Sequence, residues 1–233
     1  MARTQNDAKR LVGQTVADMI TAGMVLGLGT GSTAAMAIKA LGERISREGL
    51  EVKGIPTSFA SERLARENGI PLTTLDEHPA VDLAFDGADE FDPGLALIKG
   101  RGAAHTREKI VAAQARSFVV LVDESKRVSR LGERMPLPVE VVPMAVAPVM
   151  TVLRKLGGDP VLRMGVKKDG PVVTDQGLWI LDAAFDHGMG DLDAVNMTLL
   201  QTPGVLDHGL FLDMATTVLV GRDDGTVERL DRR

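Results

Sequence analysis

Three short stretches bring together side chains that can move protons and steady charge. The first is Asp86-Gly87-Ala88-Asp89-Glu90, with three carboxylates in five residues. Like charges this close repel, so the turn is either a solvated acidic corner or a set that acts on a bound molecule. On the second reading, Asp86 and Asp89 hydrogen-bond to a polyol and transfer protons around it. A third reading, phosphate hydrolysis with an aspartate pair on Mg²⁺, lacks further ligands. The second stretch, Ile98-Lys99-Gly100-Arg101-Gly102-Ala103-Ala104, sets a cation in a glycine-rich turn. There an ammonium can stabilise charge developing on a substrate oxygen, although a lysine taken alone is more often a surface charge. The third, Thr106-Arg107-Glu108-Lys109, opens a helix, where Glu108 either complements the helix dipole or serves as a general base. Together these groups suit one chemistry. Glu108 removes a proton alpha to a carbonyl, Lys99 meets the resulting oxyanion, and the aspartates serve the hydroxyls of an enediol.

Such a reaction needs a handle on its substrate, and Gly27-Leu28-Gly29-Thr30-Gly31-Ser32-Thr33 offers one. A glycine-rich link from a strand to a helix points free backbone N–H groups and the positive end of the helix dipole at one place, which suits a phosphate. Two nucleotide loops fit less well. The dinucleotide fingerprint needs a glycine where Ser32 stands, and the P-loop needs a lysine before its Ser/Thr. The plain alternative is a tight turn with Ser32 or Thr33 capping the helix.

The elements around these stretches follow from apolar spacing. Residues 7–21 place Ala8, Leu11, Val12, Val16, Met19 and Ile20 on one helical face, and 24–28 reads as a buried strand. A helix over 33–47, a strand near 52–55, a helix over 58–68 and a strand over 81–85 continue the alternation. Thr106 is positioned to cap a helix to 115, and 118–122 has the unbroken apolar run of a central parallel strand. From Pro136 the texture changes. Strands near 139–142, 161–164 and 178–181, helices ending at 157 and over 191–201, and a strand near Leu210 give a β-α-β-β-α-β order. The expected fold is α/β: a Rossmann-like, mostly parallel sheet domain with a second, smaller ferredoxin-like α+β domain. The expected division is 1–133 plus 208–233 for the first and 134–207 for the second, with the run at 217–220 returning to the first sheet.

Composition removes several classes of function. Aromatic residues make up 3% and the net charge is −5, so neither base-stacking platforms nor a basic stripe for nucleic acid is present. There is no cysteine, hence no disulfide, thiol nucleophile or thiolate metal site. His78, His105, His187 and His208 lie far apart, without metal-ligand spacing. No apolar run approaches a membrane span, and the polar start MARTQNDAKRLVG is unlike a secretory signal. The reading is a soluble cytoplasmic protein with a small-molecule partner, no membrane or nucleic-acid partner, and no metal or cofactor.

The motifs GLGTGST, FDGADE, IKGRGAAHTREKIVA, VDESK and PLPVEVVP, with the later LGG and TDQGLWILD, resemble in this order the ribose-5-phosphate isomerases of the A type. The likeness runs through nearly the whole chain. It implies interconversion of ribose 5-phosphate and ribulose 5-phosphate in the non-oxidative pentose phosphate pathway, without a metal, by a homodimer or homotetramer. It also implies Glu108 as proton acceptor, Lys99 as stabiliser of the enediolate oxygen, and Asp86 and Asp89 in ring opening and proton shuttling. Substrate contacts are implied for Thr30, Gly31, Ser32, Thr33 and Lys126, for the turn residues Gly87, Ala88, Gly100, Arg101 and Gly102, and more weakly for Lys9. Arg101 departs from the glycine that many members carry in this turn, and a bulky cation there bears on substrate preference more than on reaction type.

Two other functions compete. A different sugar-phosphate enzyme, such as an amino-sugar phosphate deaminase, is disfavoured by the lack of a histidine close to DGADE. A catalytically silent sugar-phosphate sensor would keep residues 30–33 but have no chemical need for Glu108, and no helix-turn-helix accompanies it.

Overall fold

The computed structural model describes residues 4–232. Along the chain it forms α1 (Gln5–Asp18), β1 (Val25–Leu28), α2 (Ser32–Glu48), β2 (Lys53–Pro56), α3 (Phe59–Glu67) and β3 (Val81–Gly87). Two short strands follow, β4 (Glu90–Phe91) and β5 (Leu97–Ile98), then α4 (His105–Ala113) and β6 (Ala115–Asp123). Next come β7 (Leu137–Val141), α5 (Val146–Lys155), β8 (Asp159–Leu162), β9 (Trp179–Ala184) and α6 (Leu192–Leu200). The chain closes with β10 (Val205–His208), β11 (Leu210–Phe211), β12 (Thr217–Gly221) and β13 (Val227–Asp231).

Two compact units result. The first comprises the described residues of Met1–Ala88, Arg107–Arg127 and Met214–Arg233; the second comprises Asp89–Thr106 and Val128–Asp213. These limits differ from the division at 133/134 and 207/208 drawn from the sequence. The reason is local pairing: β5 bonds to both β4 and β11, which draws 89–106 and 210–211 into the second unit.

The first unit holds a six-stranded sheet in the order β13-β12-β6-β3-β1-β2, parallel except for β13. Its parallel part is the doubly wound order 2-1-3-4-5, in which the direction of winding reverses between β1 and β3. Ligands of such sheets bind beyond the carboxyl ends of the strands at that reversal. Aliphatic stripes explain the helices. Val12, Val16 and Ile20 of the α1 region and Ala37, Ile38 and Leu41 of α2 meet Leu26, Leu28, Phe85, Val119 and Leu121 in one buried core. The run at 217–220 joins this sheet as β12, paired in parallel with β6.

The second unit has a four-stranded antiparallel sheet in the order β10-β7-β9-β8. With α5 and α6 in the two crossovers, this is the ferredoxin-like arrangement, over a core that includes Val139, Val141, Val149, Leu153, Leu181, Val195 and Leu199. The closing strand is β10, at 205–208, and not the run near Leu210. Leu210 and Phe211 instead pair with Ile98 and Leu97 in a three-stranded sheet, because Gly209 lets the chain pass within van der Waals contact of the Lys99 backbone. Thr106 is likewise not a cap. It lies inside α4, buried, and its hydroxyl donates to the Glu140 carboxylate. No described helix is long and apolar enough to cross a membrane.

Candidate active site

On the first unit, residues 27–33 leave β1 at the sheet's winding reversal and enter α2. Gly29 N–H donates to the Phe85 carbonyl at 3.0 Å. Thr30 N–H donates to Asp86 Oδ1 at 3.0 Å, and Gly87 N–H donates to the same oxygen at 2.7 Å. The glycine at 29 is required by this approach: a Cβ there would stand 2.4 Å from Asp86 Cγ and from the Phe85 carbonyl oxygen. Asp86 is buried near the end of β3, so the carboxylate and the glycine-rich loop form one bonded unit.

Behind the loop, Thr30 meets two hydroxyls that local spacing does not mark as part of a site, those of Thr57 and Ser58. Thr30 Oγ1 lies 2.8 Å from Thr57 Oγ1 and donates to Ser58 Oγ at 2.7 Å, while Thr57 Oγ1 donates to the Leu28 carbonyl at 3.1 Å. Ser58 in turn caps α3 reciprocally with Ser61. The Ser58-x-x-Ser61 spacing was the only local signal available, and it pointed to a helix start, not to a support.

Ser32 begins α2 behind Gly31, and neither Ser32 nor Thr33 caps that helix with its side chain. Early N–H groups of a helix have no partner within it, so this end suits an anion. Lys9 of α1 reaches the same place, donating from Nζ to Ser32 Oγ at 3.1 Å. Lys126 sits in the turn directly after β6, which the Asp123 side chain caps through Ser125 N–H at 3.1 Å. Burial alone pushes the Asp123 carboxyl up. Hydrogen bonds from Ser125 and Gln5 and the nearby Lys126 charge outweigh it and hold the group below its ordinary value.

Glu108 is buried in the first turn of α4. Val111, one turn further on the same helix face, packs so closely on β1 that a Cβ at Gly27 would meet its Cγ1 at 2.6 Å. That contact seats α4 against the strand which delivers the loop.

On the second unit, the turn after β5 holds Lys99, Gly100, Arg101 and Gly102. Lys99 is 3% exposed, its N–H donates to the Gly209 carbonyl at 2.9 Å, and its ammonium lies 5.4 Å from the Phe211 ring centre. It is therefore not the surface lysine of the plain reading, since a buried ammonium over an aromatic ring is held for a purpose or a partner. Gly100 has φ +108°, and a Cβ there would stand 2.7 Å from His105 Nδ1. Asp89 Oδ2 accepts the Arg101 N–H at 2.9 Å, while the Arg101 side chain points into an exposed position.

The third carboxylate of the acidic turn has a different task. Glu90 is buried and accepts N–H bonds from Gly132 at 2.7 Å, Arg134 at 2.6 Å and Met135 at 2.8 Å. It pins a loop, which explains why three carboxylates crowd five residues without all being available for chemistry. Among the described residues no group of three or more His, Asp or Glu side chains is placed to hold a metal ion. Of the residues expected at the site, Thr30, Gly31, Ser32, Thr33, Asp86, Gly87, Ala88, Glu108, Lys126 and Lys9 belong to the first unit, where hydrogen bonds join Thr30 and Gly87 to Asp86 and Lys9 to Ser32. Asp89, Lys99, Gly100, Arg101 and Gly102 belong to the second, where Arg101 N–H donates to Asp89.

A doubly wound sheet with an anion-suited loop and a buried carboxylate at its reversal point defines an α/β protein built to bind a small phosphorylated molecule. The family model described as ribose 5-phosphate isomerase A (phosphoriboisomerase A) matches residues 53–225. The ribose-5-phosphate isomerase A of Thermosynechococcus vestitus is 53% identical over 214 residues, 91% of this chain and 90% of its own. That of Methanosarcina acetivorans is 49% identical over 230 residues, 99% of this chain and 97% of its own. Two solved structures agree. The Methanocaldococcus jannaschii ribose 5-phosphate isomerase A superposes with a TM-score of 0.93 at 48% identity, over 98% of this chain and 100% of its own. A D-ribose-5-phosphate isomerase in complex with phospho-erythronic acid gives 0.95 at 44% identity, over 99% and 100%. The chain belongs to the ribose 5-phosphate isomerase A family.

Proposed function

We propose that this protein interconverts D-ribose 5-phosphate and D-ribulose 5-phosphate as an aldose-ketose isomerase, with Glu108 as its general base. The substrate phosphate sits at the 30–33 loop and the start of α2, with Lys126 and Lys9 contributing positive charge. Asp86 and Asp89 serve ring opening: the C1 hydroxyl gives up its proton, the bond from C1 to the ring oxygen breaks, and that oxygen takes a proton. Glu108 then removes the proton on C2. The bonding pair moves into a C1–C2 double bond, and the carbonyl oxygen on C1 gains the negative charge that Lys99 meets. Transfer of the C2 hydroxyl proton to the C1 oxygen and return of the proton held by Glu108 to C1 leave the ketose. Every step is filled by side chains of the chain, so the reading requires neither metal nor cofactor.

The observation that carries this reading is the double hydrogen bond to Asp86 Oδ1 from Thr30 N–H and Gly87 N–H. It ties the carboxylate that ends β3 to the loop suited to a phosphate, which is the geometry a reaction on a phosphorylated sugar demands. A silent sensor would share the loop yet have no chemical need for a buried carboxylate at position 108. The family resemblance further supports a homodimer or homotetramer acting in the cytoplasm, within the non-oxidative pentose phosphate pathway. The test is turnover of ribose 5-phosphate by purified protein in excess EDTA. Conversion to ribulose 5-phosphate is the expected result; binding without conversion is the result that favours the sensor.

A further inference from the structure

Beyond Asp86, Asp89, Lys99 and Glu108, the second unit contains a charged pair that serves none of the roles assigned so far. Arg163, just after β8, donates from Nε to Asp182 Oδ2 at 2.7 Å and from Nη2 to the other oxygen of the same carboxylate. This fork leaves Nη1, which donates at 3.0 Å to the carbonyl oxygen of Gly100 and at 3.0 Å to that of Arg101. Both side chains are mostly shielded, at 16% and 23% exposure, so the contact is not a surface ion pair free to come and go.

The peptide that joins Gly100 to Arg101 is the centre of the arrangement. Its carbonyl is taken by Arg163 and its N–H by Asp89 Oδ2 at 2.9 Å. A planar peptide bonded at both ends has no freedom to flip, and hydrogen bonds in such a chain polarise one another. Asp89 is thereby held by a donor whose direction Arg163 sets, and Asp182 fixes Arg163. Gly100, with φ +108°, allows the turn this orientation without the strain another residue would bring.

We propose that Arg163, oriented by Asp182, is a positioning residue for the reaction: through the Gly100–Arg101 peptide it fixes the direction of the Asp89 carboxylate. The proposal rests on the isomerase reading for its kinetic effect, while the bracing itself is measurable without turnover. Lysine cannot replace it in full, because one ammonium does not present the planar fork that engages a carboxylate and two carbonyls at once.

The test compares the full-length chain with Arg163→Met, Arg163→Lys, Asp89→Asn and Asp89→Asn/Arg163→Met. Arg163→Met lowers kcat about 10- to 100-fold with KM changed less than about threefold, the scale set by a small misplacement of a reacting group. Arg163→Lys recovers part of that loss. The double variant is no worse than Asp89→Asn within about threefold, since Arg163 acts through Asp89. Amide exchange at Arg101 speeds up by about tenfold or more in Arg163→Met, because its peptide has lost its anchor. Should that variant fold poorly, Arg163→Met/Asp182→Asn leaves no uncompensated carboxylate and is read in the same way. A kcat for Arg163→Met within threefold of the parent, or losses that multiply in the double variant, overturns the proposal. An unchanged exchange rate at Arg101 overturns it equally. A parent chain that binds but never converts ribose 5-phosphate, with exchange at Arg101 still accelerated by Arg163→Met, overturns the isomerase reading and upholds the bracing.

Discussion

The turns at 27–33 and 99–102 are both rich in glycine and both leave a strand, yet opposite kinds of contact hold them. Behind the first stand neutral groups, the hydroxyls of Thr57 and Ser58 on Thr30, with Asp86 on its backbone and Lys9 on Ser32. Behind the second stands an ion pair, Arg163 with Asp182, with Asp89 in front. The difference follows from what each turn carries. In the first, the Gly29 and Thr30 N–H groups are engaged by the Phe85 carbonyl and Asp86, which leaves the start of α2 as the part that suits an anion. The turn that carries the buried Lys99 is braced through its backbone instead, at both ends of the Gly100–Arg101 peptide.

That contrast predicts separable defects. The largest belongs to Lys99→Met, which keeps the volume but loses the charge proposed to meet the oxyanion. A fall in kcat of about 10²- to 10³-fold is expected, with the affinity for a sugar phosphate nearly unchanged. Loss of affinity in place of turnover would move Lys99 to the phosphate and dissolve the contrast. Smaller effects come from Gly29→Ala and Gly100→Ala. The first drives a Cβ to 2.4 Å from Asp86 Cγ and the Phe85 carbonyl; the second strains a φ of +108° and crowds His105. Each destabilises the fold by about 1–3 kcal/mol. In steady-state kinetics the Gly29 variant chiefly raises KM and the Gly100 variant chiefly lowers kcat. The reverse pattern would show that the two turns have exchanged tasks.

The smallest effect is a pH dependence of stability at the base of the Lys126 turn. Asp123 has a folded-state pKa below its ordinary 3.8, so its contribution is fully present above that value and is lost as pH falls through the folded value. Acid titration monitored by thermal melting therefore shows Asp123→Asn less sensitive than the parent below about pH 4. Equal slopes would mean that the hydrogen bonds from Ser125 and Gln5 do not bias the group.

Much of the architecture was legible because it is written in local period. The 3.6-residue stripe of α1, the apolar run of β6 and the strand-loop-helix order around Gly29 each declare themselves within about 15 residues. The ferredoxin-like order was readable for the same reason, apart from its last strand. There two short apolar runs stand side by side, 205–208 and 210–211, and only pairing shows that they join different sheets. What escaped was set by contacts between distant positions. Thr57 and Ser58 support a loop 27 and 28 residues earlier, and Arg163 braces carbonyls 63 and 62 residues earlier. Neither leaves a trace in spacing or composition. Thr106 looked like a cap because threonine at a helix start usually is one, but α4 already begins at His105, and the Thr106 hydroxyl donates to the buried Glu140 carboxylate. Glu90 looked like its neighbours until its three N–H donors placed it apart.

Glu108→Gln shows whether Glu108 moves the C2 proton, since the amide keeps the shape but cannot accept a proton. In D₂O the parent places solvent deuterium in the product. The variant is predicted to lose about 10³-fold in kcat and the accompanying label, while binding a sugar phosphate within a few fold of the parent. Near-normal turnover by Glu108→Gln would contradict the claim and remove Glu108 as the base.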